Sequence, residues 1–210
     1  MKGIIFDLDG VIVSTDNYHY LGWKKLADEE GIYFDETINH RLRGVSRMES
    51  LEIMLERAKK KYTPQEKTAF AKRKNEYYRE LLSGMTPADL PAEVKNSLDT
   101  LRARGYLLAI GSSSANAKFI LERVGLGDYF DAISDGTNIS NSKPHPEVFI
   151  MAADMLGLKP GECLVVEDAK AGIDAAIAGG FPSAAIGDAA GYGSETYTLV
   201  RFEDLLTILL

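Results

Sequence analysis

The first apolar run of the chain, Ile4 to Phe6, has no polar position between its members. A run without alternation is typical of a strand that is buried on both faces of a parallel sheet. Further short apolar runs follow at 106–110, 132–134, 163–166 and 183–186. Helical spacing of apolar positions predicts helices between them, near 91–104, 116–125, 148–156 and 171–179. This alternation predicts an α/β fold with a doubly wound, mostly parallel sheet.

The stretch from about residue 16 to residue 83 has a different pattern, because it contains helical spacing and almost no strand pattern. Met48, Leu51 and Met54 recur at the spacing of one helix face. Thr63 and Glu66 form a capping-box pattern with a proline at the first helical position. We therefore predict a helical cap domain at 15–83, inserted after the first strand into a core made of 1–14 and 84–210.

Composition narrows the class of protein. Hydrophobic residues make up 45% of the 210 residues, which is enough for a buried core. The net charge of −7 argues against nucleic acid as a partner, since phosphate-backbone binding needs a basic surface. There is no signal-peptide pattern and no apolar segment of membrane-spanning length. Cys163 is the single cysteine, so an internal disulfide is excluded. We expect a monomeric, cytoplasmic protein.

Polar and charged side chains follow the predicted strands at the points where they end. Asp7 and Asp9 follow the first strand, and because alternate strand residues point to one side, we expect them to converge. The later strands are followed by Ser112 to Asn116, by Ser142-Lys143-Pro144 after a loop, and by Glu167 and Asp168. Ligands bind outside the carboxyl ends of the strands in open parallel sheets. All four groups are therefore predicted to lie at one rim.

The chemistry of this rim indicates phosphoryl transfer. Four carboxylates in one crevice repel one another unless they are protonated or bind a cation, and oxygen ligands suit Mg²⁺. The hydroxyl groups of Ser112 to Ser114, with free backbone N–H groups at the start of the next helix, are predicted to form an anion cradle. Lys143 adds a positive charge. A cation, an anion cradle and a lysine around a carboxylate favour transfer of a phosphoryl group to Asp.

The stretches Asp7-Leu8-Asp9-Gly10-Val11, Gly111-Ser112-Ser113, Ser142-Lys143-Pro144 and Val166-Glu167-Asp168 resemble the four ordered motifs of the haloacid dehalogenase superfamily. The resemblance implies a Rossmann-like core, with the inserted helices as its cap. More narrowly, the chain is similar to the β-phosphoglucomutase family within that superfamily. This likeness is carried by Tyr18-His19, Trp23, Leu42 to Arg47, Ala71 to Asn75 and Pro87-Ala88-Asp89.

The resemblance implies roles for the core residues. Asp7 would be the nucleophile that forms an aspartyl phosphate, and Asp9 the general acid and base. Ser112 and Lys143 would hold the transferring phosphoryl group. Mg²⁺ would be bound by the Asp7 carboxylate, the Asp9 main-chain carbonyl, Glu167 and Asp168. The dehalogenases of the superfamily lack an acid at the position of Asp9, so dehalogenation is disfavoured.

A mutase that works through a bisphosphate also needs a second phosphate site, which the cap should supply. Arg47 can bind a phosphate bidentately, and Gly44 lets the backbone come close. The alternatives are a solvated Arg47 and a Ser46 that only caps the next helix. The family likeness assigns Gly44, Val45, Ser46 and Arg47 to substrate binding, together with Ser114 and Asn116 from the core. Ala115 stands where relatives carry a basic residue, which predicts weaker binding of this phosphate.

Four further cap residues complete the predicted site. Lys74 lies on the apolar face of its helix, where a lysine either extends outward to solvent or faces a cleft; the likeness favours the cleft. His19 and Trp23 are spaced to contact the sugar together, although core packing is an equal alternative for Trp23. Thr15 matches the hinge of the family, and its alternative role is to cap the helix that begins at Asp16.

The resemblance implies an isomerase that interconverts β-glucose 1-phosphate and glucose 6-phosphate, with β-glucose 1,6-bisphosphate as the intermediate and a small sugar phosphate as the substrate. The alternative is a Mg²⁺-dependent hexose-phosphate phosphatase, since the core motifs permit both reactions. A non-catalytic sugar-phosphate sensor is disfavoured, because such a protein would be expected to have lost Asp7 or Asp9.

Overall fold

The structure, a computed structural model, describes residues 1–42 and 45–209. The chain divides into two compact units. Residues 1–14 and 86–210 form the first, which we call the α/β unit, and residues 15–85 form the second, the helical unit.

The α/β unit is built on a parallel sheet. Its strands are β1 (Gly3–Phe6), β2 (Leu107–Gly111), β3 (Ala132–Ser134), β4 (Cys163–Glu167), β5 (Ser183–Ala185) and β6 (Tyr197–Thr198). They are arranged in the order β3-β2-β1-β4-β5-β6, and every neighbouring pair is parallel. β1 pairs with β2 on one side and β4 on the other, and all four of its residues are buried. The predicted α/β class and the burial of the first strand are confirmed.

The helices of the helical unit are α1 (Asp16–Glu29), α2 (Glu36–His40), α3 (Arg47–Leu55) and α4 (Pro64–Leu82). Those of the α/β unit are α5 (Ala92–Ala103), α6 (Ala117–Arg123), α7 (Glu147–Met155), α8 (Lys170–Ala178) and α9 (Leu205–Ile208). Short 3₁₀ turns occur at Pro87–Asp89, Pro160–Glu162, Gly187–Ala189 and Phe202–Asp204. Within residues 1–42 and 45–209, none of the helices has the length and apolar character that crossing a bilayer requires.

Capping hydrogen bonds explain where two helices of the helical unit begin. Ser46 and Glu49 exchange side-chain and backbone hydrogen bonds at the start of α3, and Thr63 and Glu66 do the same at α4. The box at Thr63 agrees with the predicted capping box, and Ser46 caps the next helix, which was the alternative considered for it. Helix α2 was not predicted, because five residues are too few to establish a helical period; its N-terminus is capped by Asp35.

Each unit has its own apolar core. In the α/β unit, Ile5, Ala109 and Val165 of neighbouring strands pack with Phe149 of α7. In the helical unit, the core joins Trp23, Leu26, Leu51, Met54 and Phe70. Cys163 is buried at the start of β4, and burial raises the pKa of its thiol to about 11, so it is an unreactive core residue.

Candidate active site

Asp7 lies directly after β1, in the middle of the sheet. Its carboxylate is buried, and Lys143 Nζ donates hydrogen bonds to Asp7 Oδ1 (2.5 Å) and to Glu167 Oε2 (2.8 Å). Lys143 comes from the loop before α7 and is also buried, with its ammonium group 4.7 Å from the centre of the Phe149 ring. Burial alone would lower the pKa of Lys143, but the two carboxylates outweigh it and the pKa is raised. Lys143 is therefore a permanent cation at this rim.

Glu167 and Asp168 stand at the end of β4, beside Asp7. One carboxylate oxygen from each of the three acids lies within 4.8 Å of the others. Burial, followed by the charge of Asp7, raises the pKa of Glu167 against the opposing effect of Lys143. Burial and the charges of Asp7 and Glu167 also raise the pKa of Asp168. Both shifts express the cost of placing several negative charges together away from water.

This group of three acids can hold a metal ion. Its donors are all carboxylate oxygens, the ligands that hard divalent cations prefer. Three carboxylates face one lysine, so a bound cation would offset the excess negative charge that raises the pKa of Glu167 and Asp168. The donor set and the charge of the site both fit a divalent cation.

The carboxylate of Asp9 does not belong to this group of three acids. β1 ends at Phe6, so the alternation of a strand does not extend to Asp9, which instead forms an isolated bridge with Val13. The strand-alternation argument for the convergence of Asp7 and Asp9 is therefore wrong, whereas their convergence on one site stays a prediction. Asp9 remains near, because its charge contributes to the raised pKa of Asp168. Gly10 turns the chain with φ +77°, where a side chain would collide with the Asp168 carboxylate.

The loop after β2 carries the predicted phosphate-binding serines. Ser112 is buried, and its hydroxyl accepts a hydrogen bond from the Ser114 N–H (3.2 Å), while the Ser114 hydroxyl accepts one from the Asn116 N–H (3.2 Å). The prediction of free backbone N–H groups is thus wrong for Ser114 and Asn116, because the serine side chains use them. The Ser113 hydroxyl accepts a hydrogen bond from the Lys143 N–H (3.4 Å), which joins this loop to the lysine loop.

In the helical unit, Lys74 lies in a buried aromatic environment. Its ammonium group is 4.4 Å from the centre of the Tyr78 ring and 4.9 Å from that of Trp23, and Nζ lies 2.9 Å from His19 Nδ1. Burial, then the charges of Lys74 and Arg47, lower the pKa of His19 well below its usual value, so the neutral imidazole accepts the hydrogen bond. Lys74 does not extend outward to solvent, and Trp23 is a core residue beside it.

The other predicted cap residues lie on helix starts. Ser46 caps α3, Val45 precedes it, and Arg47 is the first residue of that helix, with a half-buried side chain whose pKa is lowered by burial. Gly44 lies outside the described residues. Thr15 stands at the N-cap position of α1, but its side chain makes no capping hydrogen bond. Its buried hydroxyl instead accepts a hydrogen bond from the Tyr78 hydroxyl (3.0 Å), so the alternative role as a side-chain cap is wrong.

Two further residues shape these sites and were not assigned a role from sequence. Tyr78 links Thr15 to the surroundings of Lys74, and its ring centre lies 4.1 Å from that of His19. Tyr78 follows Lys74 by four residues, a spacing that places both side chains on one helix face and that could have identified it. Gly172 packs directly on the Glu167 carboxylate. A glycine within a predicted helix was the signal that could have identified it, because glycine is unfavourable there.

Comparison with known proteins places this arrangement among phosphate-transferring enzymes. The model of the haloacid dehalogenase-like hydrolase family matches residues 1–180. A β-phosphoglucomutase of Bacillus subtilis is 43% identical over 189 residues, which cover 89% of this chain and 84% of the relative. A fructose-1-phosphate phosphatase of Escherichia coli is 32% identical over 85% of this chain and 92% of the relative.

The solved structures include a similar fold. The crystal structure of a β-phosphoglucomutase from Clostridium difficile superposes with a TM-score of 0.90 at 38% identity. The match covers 98% of this chain and 93% of that protein. The match thus includes residues of both units of the chain.

Proposed function

The chain belongs to the haloacid dehalogenase-like hydrolase family, and within it we propose that this protein is a phosphomutase that interconverts β-glucose 1-phosphate and glucose 6-phosphate. The observation that carries this proposal is the 43% identity to a β-phosphoglucomutase over 89% of the chain. The buried Asp7 carboxylate at the carboxyl end of the central strand supplies the nucleophile that such a reaction needs.

In the proposed cycle, an Asp7 carboxylate oxygen carries the phosphoryl group between the two sugar oxygens. The phosphorylated Asp7 transfers this group to O6 of β-glucose 1-phosphate, and Asp9 accepts the hydroxyl proton. The bisphosphate then binds in the reverse orientation, Asp7 attacks the phosphorus on O1, and Asp9 returns the proton to O1. Glucose 6-phosphate is released and the aspartyl phosphate is restored. Proton transfer of this kind contributes about 10²–10⁴ in rate.

Asp7, Glu167 and Asp168, with the main-chain carbonyl of Asp9, are the proposed ligands of Mg²⁺. When bound, Mg²⁺ would offset the negative charge of the carboxylates and of the phosphoryl oxygens. Lys143 is the point charge proposed to contact the transferring group, and its present bonds to Asp7 and Glu167 hold it at the rim. Ser112 is the proposed hydroxyl donor to the same group.

The second phosphate is assigned to Arg47 with Ser46, Val45 and Gly44, and to Ser114 and Asn116 of the α/β unit. His19, Trp23 and Lys74 are proposed to bind the sugar. The half-buried side chain of Arg47 supports the assignment, because a cation that is partly removed from water binds an anion more strongly than a solvated one. Thr15 is the proposed hinge between the units, and its bond to Tyr78 fixes the hinge residue to α4.

The second candidate is a sugar-phosphate phosphatase, which the 32% identity to the Escherichia coli fructose-1-phosphate phosphatase favours. The two reactions differ in whether a sugar hydroxyl or water accepts the phosphoryl group from Asp7. Incubation of β-glucose 1-phosphate with Mg²⁺ and a trace of bisphosphate, followed by ³¹P NMR, separates them. We expect glucose 6-phosphate without inorganic phosphate. Accumulation of inorganic phosphate in step with substrate loss would replace the mutase by the phosphatase.

A further inference from the structure

The first turn of α8 contains a glycine against which the Glu167 side chain is packed. A Cβ atom placed on Gly172 would lie 2.0 Å from both Cδ and Oε2 of Glu167, and 2.4 Å from its Cγ. Real Cβ atoms essentially never approach another heavy atom closer than 3.0 Å. We propose that Gly172 is a positioning residue of the metal centre, because its missing side chain leaves the space that the Glu167 carboxylate occupies.

The backbone of α8 does not itself call for a glycine at this position. Gly172 lies inside the regular helix Lys170–Ala178 and is not among the glycines with positive φ. Alanine is a better helix former than glycine, so the local structure would favour alanine. The contact with Glu167 is the feature of this site that requires the absence of Cβ.

The space left by Gly172 determines what the Glu167 carboxylate can reach. Oε1 accepts hydrogen bonds from the backbone N–H groups of Asp168 (3.2 Å) and Ala169 (3.1 Å). Oε2 accepts the bond from Lys143. The side chain is almost completely buried, so it has little room for another position. A Cβ at residue 172 would push the carboxylate away from Lys143 and from the other two acids.

The atoms that would meet the new Cβ belong to the end of a side chain and not to the backbone. We therefore expect Gly172→Ala to displace the carboxylate and to leave the fold in place. Gly10 makes a similar approach to Asp168, but its φ of +77° means that a substitution there would also strain the backbone. Gly172 is for this reason the cleaner position to test.

The inference deepens the proposed function, since it takes Mg²⁺ as the metal of that site. Isothermal titration with Mg²⁺ should give a dissociation constant about 10- to 100-fold higher for Gly172→Ala than for the unaltered protein, as for other residues that orient metal ligands. Without Mg²⁺, Gly172→Ala should still fold but melt at a lower temperature, because the displaced Glu167 carboxylate leaves its buried bond with Lys143. Gly161→Ala is the matched control, because its Cβ would meet no atom within 4 Å.

A double-mutant cycle with Glu167→Ala tests whether the effect passes through the carboxylate. In that background, Gly172→Ala should change the Mg²⁺ dissociation constant less than twofold and should raise the melting temperature. Unaltered Mg²⁺ affinity in the single variant would overturn the proposal, and so would an equal loss in both backgrounds. If Gly172→Ala does not fold, the double variant is compared with Glu167→Ala instead. A lower melting temperature of the double variant would overturn the proposal, and a higher one would support it.

These outcomes are separate from those that test the reaction. If the unaltered protein isomerises its substrate and Gly172→Ala binds Mg²⁺ with equal affinity, only the role of Gly172 is refuted. If the unaltered protein releases inorganic phosphate and Gly172→Ala binds Mg²⁺ more weakly as predicted, the mutase proposal is refuted and the role of Gly172 is retained. Both a mutase and a phosphatase use the same acidic centre.

Discussion

Lys143 in the α/β unit and Lys74 in the helical unit are both buried, but different groups surround their ammonium groups. Lys143 bonds to two carboxylates, so the charge of each partner offsets the other. Lys74 lies over two aromatic rings and bonds to a neutral imidazole, which act through their quadrupoles and a lone pair. The structure places two carboxylates beside the first lysine, and two aromatic rings with a neutral imidazole beside the second.

The difference indicates that the two units contribute differently to the proposed reaction. The α/β unit concentrates charge where a phosphoryl group would be transferred, and removal of any member leaves other charges unbalanced. In the helical unit, Lys74 lies against aromatic rings and Arg47 stands at the start of α3. Loss of either cation should affect whether a sugar hydroxyl or water accepts the phosphoryl group more than it affects the rate of phosphoryl transfer. Substitutions in each unit can break or sharpen this comparison.

The largest effect is expected for Asp7→Asn in the α/β unit. The amide cannot act as the nucleophile, so phosphoryl transfer should fall at least about 10³-fold, as in other enzymes that lose a nucleophile. Covalent labelling by a phosphoryl donor, followed by mass spectrometry, should disappear with it. Asp9→Asn is the control, since it should still become labelled while it fails to turn over. Retained turnover in Asp7→Asn would contradict the assigned nucleophile.

The next effect concerns Lys143→Met. This change leaves the carboxylates of Asp7 and Glu167 without their buried cation, and breaking such a pair costs about 3–5 kcal/mol of the free energy of unfolding. The loss of transition-state stabilisation should lower kcat about 10²-fold. Urea unfolding without Mg²⁺ and steady-state kinetics with Mg²⁺ measure the two losses.

Lys74→Met makes the same replacement in the helical unit and serves as the matched comparison. Methionine can pack against the rings of Trp23 and Tyr78. The main loss is the hydrogen bond to His19 Nδ1, and leaving that acceptor unsatisfied lowers the free energy of unfolding by about 1–3 kcal/mol. A smaller loss of the free energy of unfolding than in Lys143→Met is expected. Equal losses would remove the distinction drawn between the two lysines.

A smaller and more selective effect is expected for Arg47→Ala. A charge-assisted hydrogen bond contributes about 1.5–3 kcal/mol, so mutase flux should fall about 10- to 150-fold. Slow hydrolysis of the aspartyl phosphate should fall less, because water needs no second phosphate site. ³¹P NMR of the same reaction follows both products. Equal losses of flux and hydrolysis would remove Arg47 from the second phosphate site.

The smallest effect is the pH dependence of the metal-free protein. Burial and mutual repulsion raise the pKa of Glu167 and Asp168 in the folded state. Stability from a raised pKa is present below the unfolded value, about 4 for carboxyl groups, and is lost as pH rises through the folded value. Mg²⁺ should therefore raise the melting temperature by a few degrees more at pH 8 than at pH 5. Calorimetry at both pH values, with and without Mg²⁺, tests this; an equal increase would contradict it.

Local patterns in the sequence determined much of the fold. The unbroken apolar run of β1 predicted a central buried strand, and the pairing with β2 and β4 on both sides agrees with it. Ser46 as a cap and Thr63 with Glu66 as a capping box predicted two helix starts, because capping depends on residues close in the chain. The positions of Asp7, Ser112 and Glu167 after successive strands predicted a common rim, since parallel strands end on the same side.

Only the tertiary structure decided how these side chains interact. β1 ends before Asp9, and the serine hydroxyls of the loop after β2 accept hydrogen bonds from the backbone N–H groups two residues further along. Thr15 bonds to Tyr78, 63 residues away in the chain. Gly172 and Glu167 are close because a helix packs its first turn on the residue that ends the preceding strand. Such contacts depend on distances between atoms in space, whereas periodicity and capping depend on neighbours along the chain. For this reason the sequence could determine the elements and the residue types of the rim, but not which charges, hydroxyl groups and glycines meet there.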